Sequence, residues 1–143
     1  DIVPMTDACP TLTFNTIGRH QSRLVRTRVA SDLSPWLSKT SVGDIHTVAI
    51  SHGEGRFVAS DEVLAQLRAN GQIATQYVDE TGTPGMDLDV NPNGSLLAIE
   101  GITSPDGAFR QRPVRQRARQ QVPADLRGRR GILHRLIIGA YRV

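Results

Sequence analysis

One run dominates the hydrophobic pattern of this chain. Ile45 to Phe57 reads I-H-T-V-A-I-S-H-G-E-G-R-F, a β-branched apolar start that breaks off in a polar turn carrying His52, Glu54 and two glycines. The unbroken apolar start predicts a buried strand of the parallel-sheet kind, and α/β folds gather ligands at the carboxyl ends of such strands. His46, inside the run, is expected to be packed. Around this strand the pattern predicts others. Arg23 to Ala30 mixes β-branched residues with charges, as a half-exposed strand does, and Gln72 to Asp79 alternates with period two. Leu96 to Ile102 is a further strand, and Arg56 to Ala59 is short enough to pair back after the S-H-G-E-G turn. Leu12 to Phe14 is the one short apolar stretch in an otherwise loop-like start over residues 1–20.

Helix signals are few. Ser34 followed by Pro35 suits an N-cap and first helical position for a short helix through Trp36 and Leu37. Ser60-Asp61-Glu62 places a cap and two acids before a stripe of Val63, Leu64 and Leu67, and Gly71 stops that helix. Glu80 to Pro84, Asn91-Pro92-Asn93-Gly94-Ser95 and Ser104-Pro105-Asp106-Gly107 are turns by composition. No internal repeat is present.

With 143 residues and 38% apolar content, the chain has the size and core of about one domain. Its net charge of +3 hides an asymmetry. Residues 1–107 hold seven basic and thirteen acidic residues, whereas residues 108–143 hold ten arginines and one aspartate. Such a shift marks a boundary, so residues 1–107 are read as the domain and 108–143 as an Arg-rich, irregular extension. Phe109 to Gln121 has five arginines, four glutamines and no core-facing stripe. The single cysteine excludes an internal disulfide, and no apolar run approaches the roughly 20 residues that span a bilayer. With no signal-peptide pattern at the start, a cytoplasmic protein without membrane attachment is expected.

Several groups are chemically suggestive. Ser51 to Gly55 suits polar and backbone contacts to a small ligand, although spacing alone favours a tight hairpin with solvated side chains. Asn91 to Ser95 is either a functional loop or a structural turn. Cys9 lies in a loop before proline, without the strand-to-helix turn or helix N-terminus that activates a thiol, so it is read as inert. His20, His46, His52 and His134 show no metal-ligand spacing, and no metal site is expected. The tail has the composition of a nucleic-acid or acidic-partner binder. It lacks interleaved aromatics, so a solvated extension is preferred and nucleic acid is not the expected partner.

Taken in order, S-P-W-L (34–37), G-D-I-H-T-V-A-I-S-H-G-E-G-R-F-V (43–58), N-G-Q-I-A-T-Q-Y-V-D (70–79), M-D (86–87), N-P-N-G-S (91–95) and A-I-E-G-I-T-S-P-D-G (98–107) resemble the C-terminal glutaminase domain of phosphoribosylformylglycinamidine synthase. Cys9-Pro10-Thr11-Leu12 to Asn15 resembles that family's S-P-T-L-F-x-N stretch, which extends the likeness over residues 9–107. The resemblance implies an α/β fold, a partial class I glutamine amidotransferase-like domain with a mixed or parallel sheet and flanking helices. It also implies a glutaminase, in which a cysteine attacks the glutamine carboxamide with help from a histidine and a glutamate. The ammonia then passes to a synthetase domain that makes formylglycinamidine ribonucleotide with ATP and magnesium. The implied partners are glutamine and that synthetase domain, and no cofactor is expected in this chain.

The departures bear on activity. The family's G-x-C-N-G-C-Q elbow lies upstream of the S-P-T-L stretch and has no counterpart here, and Cys9 matches a position other than the nucleophile. Where the family has G-K-M-G-H-S-E-R after S-P-D-G, this chain reads A-F-R-Q-R-P-V-R. No catalytic residue is therefore assigned, and the chain alone is expected to be inactive. Ser51, His52, Gly53 and Glu54 are expected to wall the glutamine pocket, Ser51 and His52 by direct contact and Glu54 by orienting. Asn91 to Ser95 are expected to face the synthetase domain. The use of 16 arginines against a single lysine, Lys39, fits a GC-rich gene, and a reading frame shifted after about Gly107 is the expected origin of the lost motif. A gene with no frame that restores H-S-E-R would refute this. The rival function is a binding protein whose basic tail grips nucleic acid or an acidic partner.

Overall fold

The computed structural model describes residues 9–108 and the backbone of residues 110–111. The expectation for the Arg-rich extension otherwise lies outside the described residues. In chain order the elements are β1 (Thr11–Phe14), β2 (Gln21–Val29), a 3₁₀ turn (Pro35–Leu37), β3 (Ile45–His52), β4 (Glu54–Val58), α1 (Asp61–Ala69) and β5 (Ile73–Tyr77). A second 3₁₀ turn (Leu96–Ala98), β6 (Ile99–Thr103) and β7 (Arg110–Gln111) follow. Five strands form one sheet in the order β3-β2-β5-β6-β7, and β1 pairs with β4 in a second, two-stranded sheet. Every named strand pairing is antiparallel.

The alternation in β2 decides its place. Val25, Thr27 and Val29 are buried while Ser22, Leu24 and Arg26 are exposed, so one face meets the core and the other meets solvent. Strand β5 is central and almost wholly buried, with Ile73, Ala74, Thr75 and Tyr77 inside. Helix α1 forms where the capping signal predicts, and the Ser60 hydroxyl accepts from the Val63 N–H. Its Leu64 and Leu67 join Phe57, Ile73 and Ile99 in the main core cluster. Val25, Ile50, Tyr77 and Ala98 form a second cluster, and Val29, Leu37 and Ala74 a third.

Four expectations are corrected. Strand β3 is not a buried parallel strand: it is the edge of the sheet, hydrogen-bonded to β2 alone, and Ile45, His46, Thr47 and Ala49 are exposed. β-Branched side chains suit any pleated surface, so their run reports extended backbone and not the number of covered faces. His46 is accordingly exposed, not packed. Strand β4 does not fold back on β3. After Gly53 the chain leaves the large sheet, and β4 pairs with β1, Leu12 opposite Phe57 and Phe14 opposite Glu54. The strand read from Leu96 begins only at Ile99, because Leu97 and Ala98 adopt left-handed backbone (φ 53° and 54°). The Gln76 side-chain amide holds this bend by donating to the Leu97 carbonyl at 2.9 Å.

Candidate functional site

Residues 51–55 are where the chain crosses from one sheet to the other, which makes them a junction and not a free hairpin tip. The crossing is held by Asn15, which is buried just after β1. Its backbone N–H donates to the Gly53 carbonyl (2.9 Å), and its side-chain amide donates to the carbonyls of His52 (2.9 Å) and Arg19 (3.0 Å). Because the amide nitrogen serves two carbonyls, the amide oxygen is the atom facing His52 Nδ1 at 3.1 Å. A carbonyl oxygen only accepts, so the proton of the neutral imidazole sits on Nδ1 and the lone pair on Nε2.

His52 Nε2 is buried and has no hydrogen-bond partner among the described residues. Burial pushes the imidazole pKa below its ordinary value, and the charge of nearby His20 adds to this, against opposing contributions from a backbone hydrogen bond and from Glu100. The ring is thus a neutral, oriented acceptor. Ser51 points elsewhere: it is half-buried, and its hydroxyl meets His20 Nε2 at 3.1 Å. Gly53 is half-buried, while the Glu54 side chain is exposed with no hydrogen bond or ion pair among the described residues. The four residues therefore lie together in sequence but divide into an interior imidazole, a half-buried hydroxyl and an outward carboxylate.

The Asn91–Ser95 loop packs against the same junction. Asn91, Pro92, Asn93 and Ser95 are fully buried within this chain, which corrects the expectation that they face a synthetase domain. Asn93 donates through its side chain to the Gly55 carbonyl and to the Tyr77 hydroxyl, and its own carbonyl accepts from the N–H and hydroxyl of Thr16, each at 3.1 Å. Ser95 bridges the junction too, its hydroxyl accepting from the Phe57 N–H at 3.0 Å and donating to Asn93 Oδ1 at 3.0 Å. A loop carrying this much polar backbone is tolerable inside only because these partners satisfy it. Two glycines allow the close approach. A Cβ at Gly55 would lie 2.6 Å from the His52 ring, and one at Gly94, which has φ +76°, would lie 1.9 Å from Thr16 Oγ1.

The sequence pattern named Ser51 to Glu54 and, separately, the loop that holds Asn93, but not the contacts of Asn15, His20 and Tyr77 with them. The available signal was an asparagine and a histidine flanking an otherwise turn-like stretch, which composition alone reads as a surface loop. Among the described residues no group of three or more His, Cys, Asp or Glu side chains comes together to hold a metal ion. None of their helices is long and apolar enough to cross a membrane.

Comparison with known proteins gives a concordant picture. The model of the CobB/CobQ-like glutamine amidotransferase domain matches residues 1–111. The chain is 40% identical over 80 residues to the phosphoribosylformylglycinamidine synthase subunit PurQ of Thermomicrobium roseum, covering 56% of this chain and 33% of that protein. It is 36% identical to the subunit of the same name from Halobacterium salinarum, covering 64% and 40%. With that from Aquifex aeolicus it is 33% identical, covering 73% and 45%. The chain thus spans between a third and a half of the length of these curated relatives. In the solved PurLQS structure from Thermotoga maritima, one chain superposes with a TM-score of 0.55 at 23% identity, covering 73% of this chain and 40% of that one, a likeness of fold.

Proposed function

From the premise that this chain belongs to the CobB/CobQ-like glutamine amidotransferase domain family, we propose that it is part of the glutaminase of a phosphoribosylformylglycinamidine synthase. In this reading Ser51, His52, Gly53 and Glu54 form one wall of the glutamine pocket. The nucleophilic cysteine and its histidine and glutamate assistants lie outside the matched motifs of this sequence. The chain then supplies binding and orientation, not the acyl-transfer step. Released ammonia passes to a synthetase partner, which uses ATP and magnesium to form formylglycinamidine ribonucleotide in the cytoplasm.

The supporting observation is the His52 imidazole, with Nδ1 tied to Asn15 and a bare Nε2. Fixed tautomers of this kind, set by a second hydrogen bond, are how folds present a histidine to a ligand. In this reading the packing over Nε2 opens for the ligand, Nε2 accepts a hydrogen bond from the carboxamide N–H of glutamine, and Ser51 and the backbone around Gly53 offer further polar contacts.

Two measurements test the reading. The 143-residue protein is expected to release no glutamate from glutamine, and release that Cys9→Ser abolishes would overturn the assignment. A chimera in which residues 9–107 replace the matching segment of the Aquifex aeolicus PurQ is expected to hydrolyse glutamine within about tenfold of its parent, since a uniform wall conserves ground-state and transition-state binding alike. A folded chimera without activity refutes the proposal.

A further inference from the structure

Outside the sheet crossing, an open pocket of about 490 Å³ lies at the start of β2, lined by Arg19, His20, Gln21 and Arg23 and closed by Leu88 and Asp89. Among the described residues its basic groups make no ion pair. The Arg23 guanidinium donates through Nη2 to the backbone carbonyls of Leu88 and Asp89, both at 2.7 Å, and its Nε is buried without a partner. These contacts orient the group and leave its charge uncompensated by any carboxylate contact. Arg19 is exposed and its side chain makes no hydrogen bond or ion pair among the described residues. Among the described residues the ion pair on β2 is made by Arg26, with Glu80 at 3.1 Å.

Two guanidiniums and an imidazole therefore face one pocket against a single lining carboxylate, Asp89. A planar monoanion is satisfied by one guanidinium fork. Donors from several side chains around an open pocket instead suit a tetrahedral oxyanion carrying more than one charge. We infer that this pocket binds a phosphate group, free or carried on a small molecule, with Arg19 and Arg23 as its charged contacts. His20, hydrogen-bonded to Ser51 at 3.1 Å, links the pocket to the sheet crossing, and the inference stands independently of what that crossing binds.

The test is a ¹⁵N NMR titration of the 143-residue protein with inorganic phosphate at pH 7 and constant ionic strength. Saturable shifts are expected at the amides of residues 19–23 and 51, half-complete at about 1–10 mM, the range of a few charge-assisted contacts at an open site. Arg19→Gln changes an exposed side chain and is expected to weaken binding about fivefold, whereas Arg68→Gln on α1 leaves it unchanged. Tighter binding of glycerol 3-phosphate assigns the site to an esterified phosphate, and equal or weaker binding assigns it to the free ion. Shifts that stay linear in phosphate, that acetate reproduces at equal concentration, or that Arg68→Gln weakens as much as Arg19→Gln overturn the inference.

Discussion

Gly55→Ala probes the junction at its tightest point. The added Cβ would lie 2.6 Å from both Nδ1 and Cε1 of His52 and 3.0 Å from Asn93 Nδ2, where ordinary contacts are 3.4–4 Å. The imidazole must therefore withdraw by about 1 Å, and it has nowhere cheap to go: Nδ1 is tied to Asn15 and Nε2 is already buried. Overpacking of this kind costs about 1–3 kcal/mol, and loss of the His52–Asn15 hydrogen bond about 1 kcal/mol more. Reduced freedom of the unfolded chain returns about 0.5 kcal/mol. The net destabilisation is about 1.5–3.5 kcal/mol, a fall in Tm of about 6–14 °C for a chain of this size. Gly53→Ala is the control, because a Cβ there meets nothing within 4 Å and the backbone is not left-handed. Thermal and urea unfolding of both variants, followed by circular dichroism, decide the matter. A Gly55→Ala protein as stable as the parent, or a Gly53→Ala protein equally damaged, refutes the packing described for His52.

Three further outcomes follow from the same geometry. The folded-state pKa of His52 is lowered, so as pH falls below 6.5 the unfolded chain binds a proton that the folded chain refuses. Stability then declines by at most about 1.4 kcal/mol per pH unit until the folded pKa is reached. Urea midpoints between pH 7.5 and 5 should show this slope, and His52→Asn should flatten it; an unchanged slope contradicts the assignment to His52. Asn93→Ala removes the amide that donates to the buried Gly55 carbonyl and to the Tyr77 hydroxyl, costing about 1–2 kcal/mol in urea denaturation. Asp79 accepts from the Thr81 N–H and hydroxyl and from the Thr83 N–H, which lowers its carboxyl pKa. That contribution is present above the unfolded-state value of 3.8 and is lost as pH falls through the lower folded value. Asp79→Ala should therefore destabilise the protein at pH 7, with the difference closing in acid.

Local rules were legible wherever neighbours in sequence are also the partners in space. The Ser60 cap and the turns at Glu80–Pro84 and Ser104–Gly107 are satisfied within a few residues, and the periods of β2 and of the Leu64 and Leu67 stripe are written locally although their packing partners are distant; each appears as read. The ordered motifs also carried the family, and the matched residues 1–111 agree with it. Much of the candidate site was not legible for the opposite reason. Asn15 meets His52 across 37 residues, and Asn93 meets Gly55 across 38. Nothing in a turn-like N-P-N-G-S announces that its amides will be consumed inside the fold.

By itself the sequence determined most of the extended segments, where helix α1 starts and stops, and which family the motifs belong to, because these follow from side-chain shape, period and capping within short windows. Tertiary structure decided that Ile45–His52 is an edge, that the chain changes sheets at Gly53, and that His52 is a neutral, Nδ1-protonated acceptor at the junction. Those outcomes depend on which distant backbone supplies the hydrogen bonds and excludes the water, and a linear pattern does not contain that information.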